Sequence, residues 1–237
     1  MNKLPIVEQF LSFQGEAGQP GQLAYFIRTV GCNLACQLCD SKYASRKGAK
    51  YKMIDIDTLI TLIIDKKVNF VVITGGCPLL YKKQLKELIQ KIYFKYNSKI
   101  KFCIETNGTI SPIKFNKPLS VSCFNIEPLS IFYNISPKTS WSGNNPKKAI
   151  KLNVLKKFVK ENSIFKFVID SDKDWKEMEE VIKKVKIPIE KVYIMPQGRD
   201  NKTVKKNALK YFNRIIESRY NLSPRLQIWL FGKKRGV

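Results

Sequence analysis

The 237-residue sequence contains no histidine, which excludes an imidazole general base and any imidazole metal ligand. Acidic residues are scarce, 19 Asp and Glu against 43 Lys and Arg, so the formal net charge is +24. That excess could attract a nucleic acid. It is spread along the whole chain, however, and no basic run carries the interleaved aromatics of a single-strand platform. No apolar run approaches the roughly 18 residues of a membrane span. The opening Met1-Asn2-Lys3-Leu4-Pro5 has no apolar signal region, so the expectation is a cytoplasmic protein. Six cysteines are too sparse for a disulfide scaffold, and three of them crowd into one loop, which fits metal-binding thiolates in a reducing compartment. A Gly-x-Gly-x-x-Gly fingerprint is also missing. With 44% hydrophobic residues, the chain can form one domain over residues 1–237, burying roughly 70 to 75% of its unfolded surface.

What is present is Gly31-Cys32-Asn33-Leu34-Ala35-Cys36-Gln37-Leu38-Cys39-Asp40-Ser41, a Cys-x3-Cys-x2-Cys loop directly after an apolar run. A four-iron cluster is usually held by four thiolates. Three leave one iron open for a small ligand, as catalytic zinc keeps one vacant position. A zinc knuckle is the competing reading of the same three thiols. The spacing resembles the signature of the radical S-adenosylmethionine (SAM) superfamily. That resemblance implies a [4Fe-4S] cluster on Cys32, Cys36 and Cys39, with SAM at the open iron as the source of a 5′-deoxyadenosyl radical.

Along the chain, residues 6–13 read as a strand leading into a polar turn cluster at 14–21. Residues 23–30 read as a buried strand carrying Arg28. A buried guanidinium needs a partner, here Glu8 or Glu16, unless it clamps a substrate carboxylate. A Lys-rich connector spans 42–52 and a helical period 54–66. The apolar run 69–73 has the character of a parallel strand. It ends in Thr74-Gly75-Gly76-Cys77-Pro78, where glycines would let the backbone approach a ligand. A helix follows over 79–96, then a strand at 100–104 ending in Glu105-Thr106-Asn107-Gly108-Thr109. Strand candidates lie at 120–124 and at 131–135, the second ending in Ser136-Pro137-Lys138. After a loop at 139–146 and a helical stretch to 160 come strands at 165–169 and 192–195, the latter ending in Pro196-Gln197-Gly198. Helices are expected at 174–186 and 204–219, and a closing strand at 225–231. Such alternation predicts an α/β fold with a mainly parallel sheet. Polar clusters at successive strand ends share one face in βα barrels. A doubly wound sheet would alternate in the same way. The cysteine loop and the missing dinucleotide fingerprint favour a partial, open βα barrel of the radical SAM type.

Phe13-Gln14-Gly15-Glu16, Arg28, the cysteine loop, Thr74-Gly75-Gly76, Glu105-Thr106-Asn107-Gly108, Ser136-Pro137-Lys138 and the short tail together resemble the 7-carboxy-7-deazaguanine synthases, over essentially the whole chain. The resemblance implies a ring contraction of 6-carboxy-5,6,7,8-tetrahydropterin with loss of ammonia, SAM as a recycled cofactor, and Mg²⁺. It implies a pterin site of Phe13, Gln14, Gly15, Glu16, Arg28, Thr74 and the terminal Val237. Its SAM site would comprise Leu38, Asp40, Gly76, Asn107, Ser136, Pro137, Lys138, Met195, Pro196, Gln197 and Gly198. The segments would be a substrate-binding strand and loop at 4–22, the cluster loop at 31–41, and a C-terminal strand and tail at 225–237. A homodimer and an external reductant of the flavodoxin or ferredoxin type are further family expectations. Ser41 stands where the family has a magnesium-ligating threonine and keeps the hydroxyl oxygen a hard cation needs; a turn or helix cap is its other reading. Two departures stand out. Cys77 replaces the usual Glu, which removes a carboxylate partner for the SAM ammonium and leaves a fourth cluster ligand conceivable. The tail also lacks the histidine of many relatives. Cys103 and Cys123 read as small buried residues. Two alternatives stay open: a radical SAM activase acting on a protein partner, and a non-catalytic metal or iron–sulfur RNA-binding module.

Overall fold

Val, Ile and Phe dominate the apolar runs, and these become strands because both faces of each find cover. The computed structural model describes residues 2–96, 99–115, 130–232 and 234–236. Its strands are β1 (Lys3–Phe13), β2 (Leu23–Thr29), β3 (Lys52–Asp55), β4 (Phe70–Gly75), β5 (Lys101–Thr106), β6 (Ile131–Ile135), β7 (Ser163–Ile169), β8 (Val192–Pro196) and β9 (Asn221–Leu222). They form one nine-stranded sheet in the order β3-β1-β2-β4-β5-β6-β7-β8-β9. From β2 to β9 every pairing is parallel, while β1 runs antiparallel to both β2 and β3. The two ends of the order do not pair, so the βα barrel is open.

Helices Ile56–Asp65, Lys82–Tyr96, Leu152–Val159, Asp172–Val185 and Asn201–Glu217 are the major helical connections. Their starts follow capping chemistry. Asp55 accepts from the backbone of Asp57, Asp200 from that of Thr203, and Ser171 with Asp174 forms a reciprocal capping box. Their apolar stripes meet one face of the sheet in the larger core, where Ile27, Ile73, Ile104, Ile135 and Phe167 lie beside Leu59, Ile63, Leu88, Phe158 and Trp175.

Residues one step out of phase with that core point into the barrel. Register carries Phe10 beside Phe26, Phe26 beside Val72, Val72 beside Cys103, and Cys103 beside Phe132. These side chains form a second apolar cluster, with the Phe10 and Phe26 rings stacked 5.1 Å apart. Two residues further along each parallel strand, and two residues back along the antiparallel β1, the row turns polar: Glu8, Arg28, Thr74, Glu105 and Asn134. The apolar layer is thus the floor of the barrel, and the polar layer above it opens toward the C-terminal ends of the parallel strands.

Three sequence expectations need correction or placement. Residues 225–231 are not a strand: Leu226–Phe231 is a helix. A continuous apolar run does not distinguish the two by period, and the sheet edge it would have joined is occupied by β9. The Lys-rich connector hides the short helix Lys42–Ser45, and β3 runs from its last residue into the first two residues of the expected helical period, so that helix starts at Ile56. The strand candidate at 120–124, with Cys123, lies outside the described residues. Cys103 is a buried strand residue, as expected.

Candidate active site

Above the polar layer lies a cleft of about 690 Å³ lined by the cysteine loop, the ends of β4 to β8, the 14–16 turn and the C-terminal segment. The loop is pinned at its root by backbone geometry. Gly31 donates to the carbonyl of Ala44, and its own carbonyl accepts from Cys77 at 2.9 Å. Gly75, at φ +136°, lies against Thr29, and a Cβ on Gly76 would collide with the Gly31 carbonyl. The glycine pair therefore seats the cysteine loop against β4 as well as lining the cleft.

Cys32, Cys36 and Cys39 all face this cleft. Each sulfur has hydrogen-bonding neighbours. The Leu34 amide lies 3.4 Å from the Cys32 sulfur and the Asn107 amide 3.7 Å from it. Asn144 Nδ2 approaches the Cys36 sulfur at 3.1 Å, and the Ser41 and Ser45 hydroxyls lie 3.6 and 3.5 Å from the Cys39 sulfur. Burial pushes the Cys32 thiol up, and the neighbouring cysteines push it the same way. Among the described residues no three His, Cys, Asp or Glu side chains form a group that could hold a single metal ion. Ser41 precedes the helix Lys42–Ser45 without a side-chain cap bond.

On the opposite side, Arg28 Nε donates to Glu8 at 2.6 Å, which settles its partner between the two carboxylates considered. The guanidinium stands over the rings of Phe10 and Tyr43, and Tyr43 donates to the same Glu8 oxygen at 2.6 Å. Burial, with Glu8 beside it, pushes the Tyr43 phenol up to about 12. Thr74 donates to Glu105 at 2.6 Å and Gln14 donates to its other oxygen at 3.2 Å.

Glu16 belongs to a different network. It is bonded by Lys166, by Arg225 Nε at 3.1 Å and by Gln227 Nε2 at 2.5 Å. Burial alone would raise its carboxyl, but the ammonium of Lys166 and the guanidinium of Arg225 outweigh burial and hold it well below the usual carboxylate range. Lys166 is itself buried, and although burial disfavours its charge, Glu16 and Glu105 hold it above the ordinary lysine value.

The cleft brings together Phe13, Gln14, Gly15, Glu16, Arg28 and Thr74 from the expected pterin side. From the expected SAM side it brings Leu38, Asp40, Gly76, Asn107, Ser136, Lys138, Met195, Gln197 and Gly198, and Ser41 lines it too. Pro137 and Pro196 are buried at their turns without lining the cleft, and Val237 lies outside the described residues. Asn107 spends its amide nitrogen on the cysteine loop, donating to Asn33 at 3.0 Å. Lys138 donates to Ser136 at 2.7 Å and sits 5.8 Å above the Trp141 ring. Burial lowers its ammonium despite the nearby Cys36. Sequence reasoning gave no role to Lys166, Arg225 or Asn134, and took Glu105 only as part of the Glu105-Thr106-Asn107-Gly108 motif. For Lys166 the signal was available: a lysine inside the run Phe165-Lys166-Phe167-Val168 demands a buried acidic partner, as Arg28 does.

Residues 26–121 match the Radical SAM superfamily. A 7-carboxy-7-deazaguanine synthase of Clostridium acetobutylicum is 40% identical over 106 residues, an alignment spanning 45% of this chain and 47% of that protein. One from Rhodopirellula baltica is 32% identical over 236 residues, covering 100% of this chain and 90% of the relative. The chain belongs to the 7-carboxy-7-deazaguanine synthase family. The crystal structure of QueE from Escherichia coli shares its fold, with a TM-score of 0.68 over 94% of each chain at 21% identity.

Within this 7-carboxy-7-deazaguanine synthase scaffold, Cys77 sits close enough to Cys32 to help raise that thiol, yet it is not placed as the cleft cysteines are. It is fully buried, does not line the cleft, and its sulfur lies 3.5 Å from the Thr106 hydroxyl. Cys77→Ala should therefore leave the iron content of reconstituted protein unchanged at a stability cost of about 1 kcal/mol. Iron and sulfide analysis checks this, and loss of iron would make Cys77 a cluster ligand.

Proposed function

We propose that this chain is a radical SAM lyase that contracts 6-carboxy-5,6,7,8-tetrahydropterin to 7-carboxy-7-deazaguanine with loss of ammonia, a step toward queuosine and other 7-deazapurines. One observation carries the reading beyond family membership: the three-thiol loop and the carboxylate-binding and amide side chains of the pterin set line one cleft. A carboxylated pterin presents an anion and a rim of N–H donors and ring acceptors, and this cleft offers both a cation and paired acids.

The three thiols fit an iron–sulfur cluster: they line one wall of the cleft, and amides and hydroxyls surround the sulfurs as they do around iron–sulfur centres. A [4Fe-4S] cluster with SAM supplies a hydrogen-abstracting radical when bound. The rest falls to the chain. Arg28, held by Glu8 through Nε alone among the described residues, would turn its two Nη groups to the substrate carboxylate. Gln14, Thr74 and Glu105 form a fixed hydrogen-bonding wall for the ring, and Glu16 stays anionic beside it. Ser136, Lys138, Gln197 and Gly198 would hold SAM, and the Ser41 oxygen would serve Mg²⁺ along with substrate oxygens and water. No histidine is needed for any of these roles. The Lys138 ammonium suits the carboxylate of SAM rather than its ammonium, and with Cys77 in place of a carboxylate the SAM ammonium would lean on backbone carbonyls.

The proposal includes a homodimer, an external one-electron donor of the flavodoxin or ferredoxin type, and a cytoplasmic setting in which thiolates stay reduced. No helix among the described residues is long and apolar enough to cross a membrane. The test is anaerobic turnover of reconstituted protein with SAM, reductant, Mg²⁺ and the carboxylated pterin, following product by mass. Cleavage of SAM without a deazapurine would overturn the substrate. Arg28→Ala should raise the pterin KM roughly ten- to a hundredfold, the loss of charge-assisted hydrogen bonding worth about 1.5 to 3 kcal/mol, with iron content unaltered. An unchanged KM would remove Arg28 from the clamp.

A further inference from the structure

We propose that Arg225 couples the pterin and SAM subsites, so that each ligand tightens the binding of the other; this rests on the functional reading above. One guanidinium, its side chain only 9% exposed, bonds three parts of the cleft. Nε donates to Glu16 on the pterin side at 3.1 Å. Nη1 donates to the carbonyl of Gly198 at the end of β8. Nη2 donates to Asp40, next to the last cysteine of the loop, at 3.3 Å. Gly198 and Asp40 both belong to the proposed SAM side.

The guanidinium is a rigid planar fork, so its three branches cannot move independently. The Glu16 branch is anchored, because Lys166 and Gln227 hold the same carboxylate. The backbone reinforces this anchor: Leu226 donates to the carbonyl of Gly15 at 3.0 Å, and Gln227 packs so closely on Gly15 that a Cβ there would collide with it. The Asp40 branch is the loose one, the longest of the three bonds, to a carboxylate whose side chain is 72% exposed. A ligand that fixes Asp40 and the Gly198 turn fixes the loose end of the fork, and a pterin that engages Glu16 fixes its anchored end, so each orders the one guanidinium that both sites share. Ordering of one site then lowers the cost of ordering the other, and linkage requires the effect to be reciprocal.

Equilibrium binding to the reconstituted holoprotein, without reductant so that SAM stays intact, tests this at fixed Mg²⁺. In the wild type each ligand should tighten the other by one common factor, within about 5- to 150-fold. Arg225→Met should bring that factor to about one. Arg225→Lys keeps a cation at Glu16, which guards against a folding defect, yet cannot span three partners; it too should bind both ligands without coupling. A variant that weakens both ligands with the factor preserved would make Arg225 merely structural and overturn the inference. Wild-type protein that binds both ligands independently would overturn the inference alone. Wild-type protein that does not bind the pterin would bring down the functional reading as well.

Discussion

Cys36→Ala should reduce formation of 7-carboxy-7-deazaguanine by reconstituted protein to background and strip most of its iron. Cys36 is the most deeply placed of the three cleft thiols, 8% exposed. The loop around it is held by contacts that do not involve its sulfur. Arg46 donates to the Cys36 carbonyl at 2.8 Å, Ala35 donates to Asn144 at 2.9 Å, and Gln37 donates to the Ser142 carbonyl at 2.9 Å. The variant should therefore fold, and circular dichroism with a thermal melt would establish that the loss is chemical. Removing a thiolate leaves a cluster with two protein ligands where at least three are needed to leave one defined open position. Persistent product formation in this variant would remove the three-thiol loop from the chemistry, and with it the zinc-or-cluster question would turn to other donors. Iron that stays while product vanishes would instead assign Cys36 to tuning rather than holding the cluster.

The parts of this site that were legible in the sequence are those whose chemistry is local. The cysteine spacing is a property of eight residues, and the polar groups at the ends of β4, β5, β6 and β8 are visible because each interrupts an apolar run. The parallel sheet followed from the same runs, since strands covered on both faces show no alternation. What was not legible depends on register between distant strands. Glu8, Arg28, Thr74, Glu105 and Asn134 become one layer only when five strands align. The pairing of Glu16 spans 150 residues to Lys166 and 209 to Arg225. Arg225 was hidden further by the reading of 225–231 as a strand, which would have turned its side chain into a sheet edge rather than across the cleft. The glycines of Thr74-Gly75-Gly76 illustrate a subtler limit: the need for a missing Cβ is evident in sequence, but whether a ligand or the chain's own backbone fills the space is not.

Lys166→Met should be the most destabilising single change in the cleft, because it leaves the Glu16 carboxylate buried with one cation instead of two. Breaking a buried pair from one side costs about 3 to 5 kcal/mol. At roughly 2 to 4 °C per kcal/mol for a chain of this size, the melting temperature should fall by about 6 to 20 °C. Adding Glu16→Gln to Lys166→Met removes the stranded charge and should recover much of that loss, without restoring turnover, since Glu16 itself lines the pterin side. The pH dependence distinguishes this account from simple loss of packing. In the wild type the folded Glu16 value lies below the unfolded one, so its contribution is present above about pH 4.3 and is lost as pH falls through the depressed folded value. Lys166 is raised, so its contribution is complete below its unfolded value near 10.4 and is lost only above that. Between pH 5 and 8 both contributions are constant, and neither slopes the wild-type stability. Without Lys166, burial acts against a single remaining guanidinium and the Glu16 value rises. Once above its unfolded value the sign reverses, and protonation at low pH stabilises the folded variant. The gap in melting temperature between wild type and Lys166→Met should consequently be smaller at pH 5 than at pH 8, whereas a gap equal at both would mean that Arg225 alone keeps Glu16 ionised across that range.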